Sequence, residues 1–257
     1  MRLVRFKSDK GVFWGEFQPD GIAPLIGNPF GAFRLDTMLH QHGAVRLLAP
    51  VLPSKIVCVG LNYHAHIEES KTASEAPKEP FIFFKPPSAV IGPGAAIELP
   101  ASSARVDFEG ELALVMGKRG RNIPQVEATD YILGLTCAND VTARDFQQSD
   151  KQWIRAKGFD TFCPLGPWVC TDASYDNVEI ESYLNLTLRQ RALSSEMIFP
   201  PEELVSYISS IMTLEAGDVI LTGAPAGVGQ LHAGDQVEVR IQGIGALVNT
   251  VAVGGAV

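Results

Sequence analysis

Three acidic residues at alternate positions, Asp107, Glu109 and Glu111, are the stretch of this sequence most directly suited to chemistry. They lie in Val106-Asp107-Phe108-Glu109-Gly110-Glu111-Leu112-Ala113-Leu114-Val115. Read as one strand, the carboxylates share a face with Ala113, and Val106, Phe108, Leu112 and Leu114 share the other. Successive same-face residues sit roughly 6.5 Å apart at Cα, because the rise is about 3.3 Å per residue. Two glutamate side chains can close that gap around one ion. Left uncompensated, the same carboxylates raise each other's pKa and resist joint ionisation. Gly110 leaves room for a close approach to the backbone. The pattern also fits a strand whose polar face is simply solvated.

Other chemistry-bearing residues are scattered along the chain. His66 and Glu69 are three apart in Asn62-Tyr63-His64-Ala65-His66-Ile67-Glu68-Glu69, hence neighbours on a helix face. A carboxylate beside an imidazole orients it and favours its protonated form, as a general base requires; the same spacing also makes surface ion pairs. Lys85 and Ser88 follow a run of aromatics at a proline turn. Asp140 leaves the end of an apolar run, well placed to join a site on a neighbouring strand. Arg144, Asp145 and Gln147 come next, and Lys157, beside Gly158, is a candidate cation for an anionic intermediate or a plain helix-ending lysine. Residues 70–80 have the small, charged, proline-containing composition of a surface loop, either lid or passive linker. Gly223-Ala224-Pro225-Ala226-Gly227-Val228-Gly229 is not a dinucleotide fingerprint, since the proline is wrong for it and no helix of suitable length follows.

The elements that must position these residues are mostly strands. Residues 1–17 read as a hairpin, Ile56–Gly60 and Tyr131–Ala138 as buried strands, and Pro80–Phe84 as another. Tyr183–Leu188 alternates as a strand, Asp218–Thr222 is a short buried one, and 235–253 is a hairpin about Gly243–Gly245. A short amphipathic helix is expected near 35–42, and the strongest helical pattern runs from Pro200 to Leu214. Prolines at 50 and 53 suggest a small N-terminal domain, residues 1–52, ahead of a main domain, residues 53–257.

Composition narrows the classes. With 46% hydrophobic and 19% charged residues among 257, the chain has ample material for a core. A formal net charge of −8 and no basic run argue against nucleic-acid binding. Cys58, Cys137, Cys163 and Cys170 form no CxxC pair and read as buried thiols. No signal-like N-terminus or membrane-length apolar run occurs, so the expectation is a cytoplasmic protein without a membrane role.

Taken in order, Gly60-x-Asn62-Tyr63…His66-x-x-Glu69, Phe84-Lys85-Pro86-Pro87-Ser88, Asp107-x-Glu109-x-Glu111-Leu112, Asn139-Asp140-x-Thr142-Ala143-Arg144-Asp145-x-Gln147, Lys157-Gly158-x-Asp160, Met197-Ile198-Phe199 and Thr222-Gly223-x-Pro225-x-Gly227 closely resemble the fumarylacetoacetate hydrolase superfamily. The match runs over roughly residues 53 to 253. The resemblance implies a β-rich α+β fold, a mixed sandwich or roll with a small N-terminal β-containing unit, assembled as a homodimer. It implies one Mg²⁺ or Mn²⁺ per subunit on Glu109, Glu111 and Asp140, with Asp107 outside the ligand set. His66 and Glu69 would be a catalytic dyad brought in by a lid, and Lys157 would assist at a developing oxyanion. Gln147, Lys85 and Ser88 would contact substrate. The implied substrate is a 2-oxo or 2,4-diketo acid, processed through an enolate. Hydrolysis of an acylpyruvate is the first expectation. The alternatives are isomerisation or decarboxylation of hydroxydienedioates, decarboxylation of oxaloacetate, or metal binding without turnover. Ala224, where threonine is usual, and Leu193-Ser194, where Asn-Thr is common, depart from the family pattern.

Overall fold

The computed structural model describes residues 1–70 and 75–255. The expected N-terminal hairpin is present as β1 (Arg2–Ser8) and β2 (Gly11–Gln18), followed by β3 (Gly21–Gly27), β4 (Phe33–Leu35) and β5 (Arg46–Leu48). No helix forms at 35–42. Leu35 ends β4, His40 bridges to Ile22, and Met38 and Leu39 are exposed with no core to pack a helix against; a single 3₁₀ turn follows at His42–Ala44. After the proline-rich segment come β6 (Ile56–Gly60), α1 (His64–Ser70), β7 (Phe81–Lys85), β8 (Val90–Ile91) and β9 (Ala96–Leu99). The acidic stretch supplies β10 (Val106–Phe108) and β11 (Gly110–Met116). Next are β12 (Ile132–Asn139), β13 (Thr142–Ala143), α2 (Arg144–Ser149), α3 (Ile154–Lys157) and β14 (Cys163–Cys170). The chain ends with β15 (Glu179–Leu184), β16 (Thr187–Leu193), α4 (Pro201–Ile211), β17 (Val219–Leu221), β18 (Gly229–Gln230), β19 (Gln236–Ile241) and β20 (Gly245–Val253).

The largest sheet runs β4-β3-β2-β1-β14-β12-β11-β17-β6-β7, with β5 beside β1 and β8 beside β14. A five-stranded sheet runs β16-β15-β19-β20-β9, and β13-β10-β18 form a third. The expected boundary near 50–53 falls in an irregular segment, yet β1 pairs directly with β14, Leu3 opposite Val169. The N-terminal strands therefore extend the main sheet.

β11 shows why the centre of this sheet is fixed. Leu112, Leu114 and Met116 pack on one face with β15, β19, β20 and α4, through Ile180, Val239, Leu247 and Leu204. Ala113 and Val115 pack on the opposite face with Leu3, Val169 and Leu221. Each of the buried leucine, valine, isoleucine and methionine side chains is worth about 1.5–3 kcal/mol. Both faces are thus apolar, and the solvated polar face that the alternation allowed does not exist. Every residue from Val106 to Met116 is buried.

Two further strand expectations are corrected. Tyr183–Leu188 is not one strand. Asn185 and Leu186 carry φ of 50° and 66° and form the tight turn between β15 and β16. Asparagine tolerates this left-handed region. β7 is not a buried strand either, because it lies at the end of the sheet with Phe81 and Phe84 exposed. None of the described helices is long and apolar enough to cross a membrane.

Candidate metal centre

Where β11 meets β12, Gly110 pairs with Asn139 and the ladder ends. Glu109 precedes β11 and Asp140 follows β12, so the two acids leave adjacent strand ends. The backbone locks them together: the Asp140 N–H donates to the Glu109 carbonyl at 2.8 Å, and the Glu109 N–H donates to Asn139 Oδ1 at 2.9 Å. Glu111 lies two residues further on. Oxygens of Glu109, Glu111 and Asp140 fall within 4.8 Å of one another, all three residues being buried.

Cations surround part of this cluster. Lys157, delivered by α3, donates to Glu109 Oε2 at 2.8 Å and Asp140 Oδ2 at 2.6 Å. Lys85, at the end of β7, donates to Asp140 Oδ1 at 2.5 Å and the Val141 carbonyl at 2.9 Å. Arg144 pairs with Glu109 Oε1 at 2.6 Å and donates to Asp107 Oδ2 at 2.9 Å. Arg105 takes both oxygens of Asp107, at 2.9 and 3.0 Å. Asp107 is therefore tied up by two arginines, in a strand segment separated from β11 by the break at Glu109.

The charges are unevenly met. Burial pushes Glu109 upward, but Arg144 and Lys157 outweigh it and hold that carboxyl below its usual range. Burial, then the neighbouring Asp140 and Glu109, push Glu111 well above its usual range. Among the described residues no lysine or arginine lies within ion-pair distance of Glu111; its contact is the Gly223 N–H, donated to Oε2 at 2.6 Å. Gly223 has φ of 102°, and a Cβ there would sit 2.7 Å from that of Asn62, so glycine is required at this contact. Burial opposes the charge on Lys157, but Asp140 and Glu109 prevail and keep its ammonium protonated beyond the ordinary lysine range. Three buried carboxylates, one without a cation of its own, make an all-oxygen donor set that fits a hard divalent ion.

These acids line a cavity together with His66, Gln147 and Lys157. Arg144, Gly60, Ala224 and the apolar Val59, Leu61, Phe83 and Trp153 complete its wall. His66 Nδ1 is buried without a hydrogen-bond partner among the described residues and stands 3.6 Å from Glu69 Oε2. Glu69 instead accepts the Gly227 N–H at 2.9 Å. The pair is adjacent but not hydrogen-bonded. Gln147 Oε1 accepts from Arg144 at 2.9 Å.

Two expected substrate contacts lie elsewhere. Lys85 is buried behind Asp140 and is not part of the cavity wall. Ser88 is exposed in a 3₁₀ turn, also away from the wall. A strand-end lysine reads as free in a sequence because its acidic partner is 55 positions away. Of the expected lid, residues 71–74 lie outside the described residues. Ser194, one of the departures, is buried in loop packing, donating to the Tyr175 carbonyl at 2.5 Å.

Sequence reasoning left Asn62 without a role. Its amide donates to the carbonyls of Phe199 (3.0 Å) and Thr222 (2.7 Å) and accepts the Phe199 N–H (2.8 Å), pinning the entry of α1 to the glycine loop. An asparagine before a helix reads as a cap, which hides this long-range function.

Comparison with known proteins adds to this geometry. The fumarylacetoacetate (FAA) hydrolase C-terminal family profile matches residues 55–252, and an Rv2993c-like N-terminal profile matches residues 1–50. Oxaloacetate tautomerase FAHD2B, mitochondrial, of Bos taurus is 44% identical over 220 residues, covering 80% of this chain and 69% of its own. The crystal structure of 5-carboxymethyl-2-hydroxymuconate delta-isomerase from Mycobacterium smegmatis superposes with a TM-score of 0.92 at 44% identity, covering 98% of this chain and 99% of that one. Maleylpyruvate hydrolase from Sphingobium sp. SYK-6, in complex with manganese(II) and pyruvate, superposes with a TM-score of 0.81 at 28% identity, covering 99% and 100%.

Proposed function

This chain belongs to the fumarylacetoacetate hydrolase family, and on that premise we propose that it is a divalent-metal-dependent enzyme interconverting the enol and keto forms of a short 2-oxo dicarboxylate of the oxaloacetate type. Glu109, Glu111 and Asp140 would hold Mg²⁺ or Mn²⁺. Such an ion supplies Lewis acidity toward the 2-oxo acid and stabilises enolate charge. The chain's own residues supply the rest. Lys157 is a fixed, buried ammonium beside the acidic cluster, suited to a developing oxyanion. Gln147, with its carbonyl oxygen engaged by Arg144, keeps its amide N–H groups for a substrate oxygen. Val59, Leu61, Phe83 and Trp153 limit water in the cavity. His66 can move one proton at C3 of the substrate while one leaves the enol oxygen, so the atoms balance without any co-reactant.

The observation that carries this reading is the state of the dyad. His66 faces the cavity with Nδ1 unpartnered, while Glu69 is engaged by Gly227. A single proton-transfer group suffices for tautomerisation. Activation of a hydrolytic water gains from an imidazole that is also oriented by the carboxylate. The similarity to an oxaloacetate tautomerase and to an isomerase, each at 44% identity, supports the same order. Acylpyruvate hydrolysis, the first expectation from the sequence, is the second reading. It would require His66 and Glu69, 3.6 Å apart, to come into hydrogen-bond contact.

The test is to incubate the Mn²⁺-loaded protein with enol-oxaloacetate, acetylpyruvate and a hydroxymuconate-type dienoate, following ultraviolet absorbance and product mass. Tautomerisation predicts faster loss of enol absorbance at unchanged mass. Release of CO₂ would identify a decarboxylase. Cleavage of acetylpyruvate to pyruvate and acetate, with enol-oxaloacetate decaying only at the buffer rate, would reject the proposal in favour of the hydrolase.

A further inference from the structure

Gln190 on β16 is fully buried and belongs to no part of the chemistry described above. Its amide oxygen accepts the Gly110 N–H at 2.9 Å, and its amide nitrogen donates to the Pro225 carbonyl at 2.7 Å. Gly110 separates Glu109 from Glu111. Pro225 belongs to the loop whose Gly223 N–H holds Glu111 Oε2 at 2.6 Å. One side chain from the five-stranded sheet therefore ties the segment carrying two acidic groups to the loop that fixes one of them.

The loop needs such a tie. Residues 222–228 form neither helix nor strand, so no regular ladder fixes them and their backbone groups depend on individual partners. The same strand provides a second seat. Gly227 has φ of 100°, and a Cβ there would fall 1.9 Å from the Arg189 carbonyl oxygen. From that seat the Gly227 N–H reaches Glu69 at 2.9 Å. Arg189 and Gln190 thus form the bed of a loop that touches Glu111 at one end and Glu69 at the other.

We propose that Gln190 is a positioning residue for the metal centre: by bridging Gly110 and Pro225 it sets the Glu111 carboxylate against Glu109 and Asp140. This rests on the reading of those three acids as a divalent-cation site. Groups that orient ligands from behind typically change metal affinity about 10- to 100-fold when replaced.

Mn²⁺ binding, measured by the loss of the free-ion electron paramagnetic resonance signal, is compared in wild type, Gln190→Met, Gln190→Glu and Ile208→Ala. Hydrogen exchange over residues 222–228 is followed in the same proteins in EDTA. Gln190→Met removes both contacts with a side chain of similar length. Gln190→Glu keeps an acceptor for Gly110 but has no donor for Pro225. Ile208→Ala opens the core under α4 and controls for general destabilisation. The expected result is Mn²⁺ affinity weakened about 10- to 100-fold in both Gln190 variants, with faster exchange over 222–228, and unchanged affinity in Ile208→Ala. Wild-type affinity in folded Gln190→Met, or in Gln190→Glu if the methionine variant does not fold, would overturn the proposal. Equal weakening in Ile208→Ala would do the same. Absence of Mn²⁺ binding by the wild type would overturn the metal reading and this role with it, a pattern distinct from equal binding by wild type and variants.

Discussion

Replacing Lys157 with methionine should make the protein's stability depend on divalent metal. The ammonium is buried and bridges Glu109 and Asp140 at 2.8 and 2.6 Å. Removing one partner of a buried ion pair costs about 3–5 kcal/mol, because the remaining charge is left uncompensated. Here the lower end applies, since Asp140 keeps Lys85 and Glu109 keeps Arg144. A loss of about 3 kcal/mol corresponds to a fall in Tm of roughly 6–12 °C for a chain of this size. An ion that binds only the folded state at 100 times its Kd returns about 2.7 kcal/mol. Thermal unfolding of wild type and Lys157→Met, each in EDTA and in excess Mn²⁺, reads both numbers. Measured against wild type in EDTA, the variant should lie about 3 kcal/mol lower in EDTA and regain most of that in excess Mn²⁺, while wild type gains through its own binding of the ion. A deficit below about 1 kcal/mol in EDTA, or a variant that Mn²⁺ does not stabilise, would refute the reasoning that Lys157 neutralises the same carboxylates that bind the ion.

Glu111→Gln should act in the opposite direction on the metal-free protein. It keeps an acceptor for the Gly223 N–H and removes a charge that burial, Asp140 and Glu109 all disfavour. Because the folded pKa of Glu111 lies above its unfolded value of about 4.3, the native state holds the proton more tightly, and its contribution to stability is lost as pH rises from the one value toward the other. In EDTA the variant should lack that downward slope and be the more stable protein at neutral pH; denaturant midpoints across pH that parallel the wild type would contradict this. His66→Ala should leave Mn²⁺ affinity unchanged and lower turnover by about 10²- to 10⁴-fold, which metal titration and the enol assay separate. The four thiols should resist alkylation in the folded protein. All are buried, and burial pushes Cys137 and Cys163 up to about 12; rapid labelling before unfolding would contradict that burial.

Periodicity carried much of the fold. Apolar runs such as Ile56–Gly60 and Val219–Leu221 are central strands, and a run with both faces apolar has no other stable place than the middle of a sheet. It failed where a local rule competed with alternation. Asn185 and Leu186 continue the pattern of Tyr183 and Leu184, yet their backbone turns left-handed to join β15 to β16. Phe81 and Phe84 look like core residues and lie instead on an edge strand. At the candidate site, the spacing of Glu109 and Glu111 and the strand-end position of Asp140 were legible, and the three converge. The cations were not. Arg144 reads as a helix residue and Lys85 as a solvated one, since a sequence does not reveal which distant carboxylate a lysine will meet across a sheet. The break at Glu109, which leaves Asp107 to Arg105 and Arg144, is likewise set by pairing with β12 and β13 and not by local pattern.

Anomalous diffraction from crystals grown with Mn²⁺ addresses the central claim most directly. One manganese peak per chain is predicted among the carboxylate oxygens of Glu109, Glu111 and Asp140, absent in Glu109→Ala. No peak at that position in the wild-type protein, or a peak that survives in Glu109→Ala with unchanged occupancy, would contradict it.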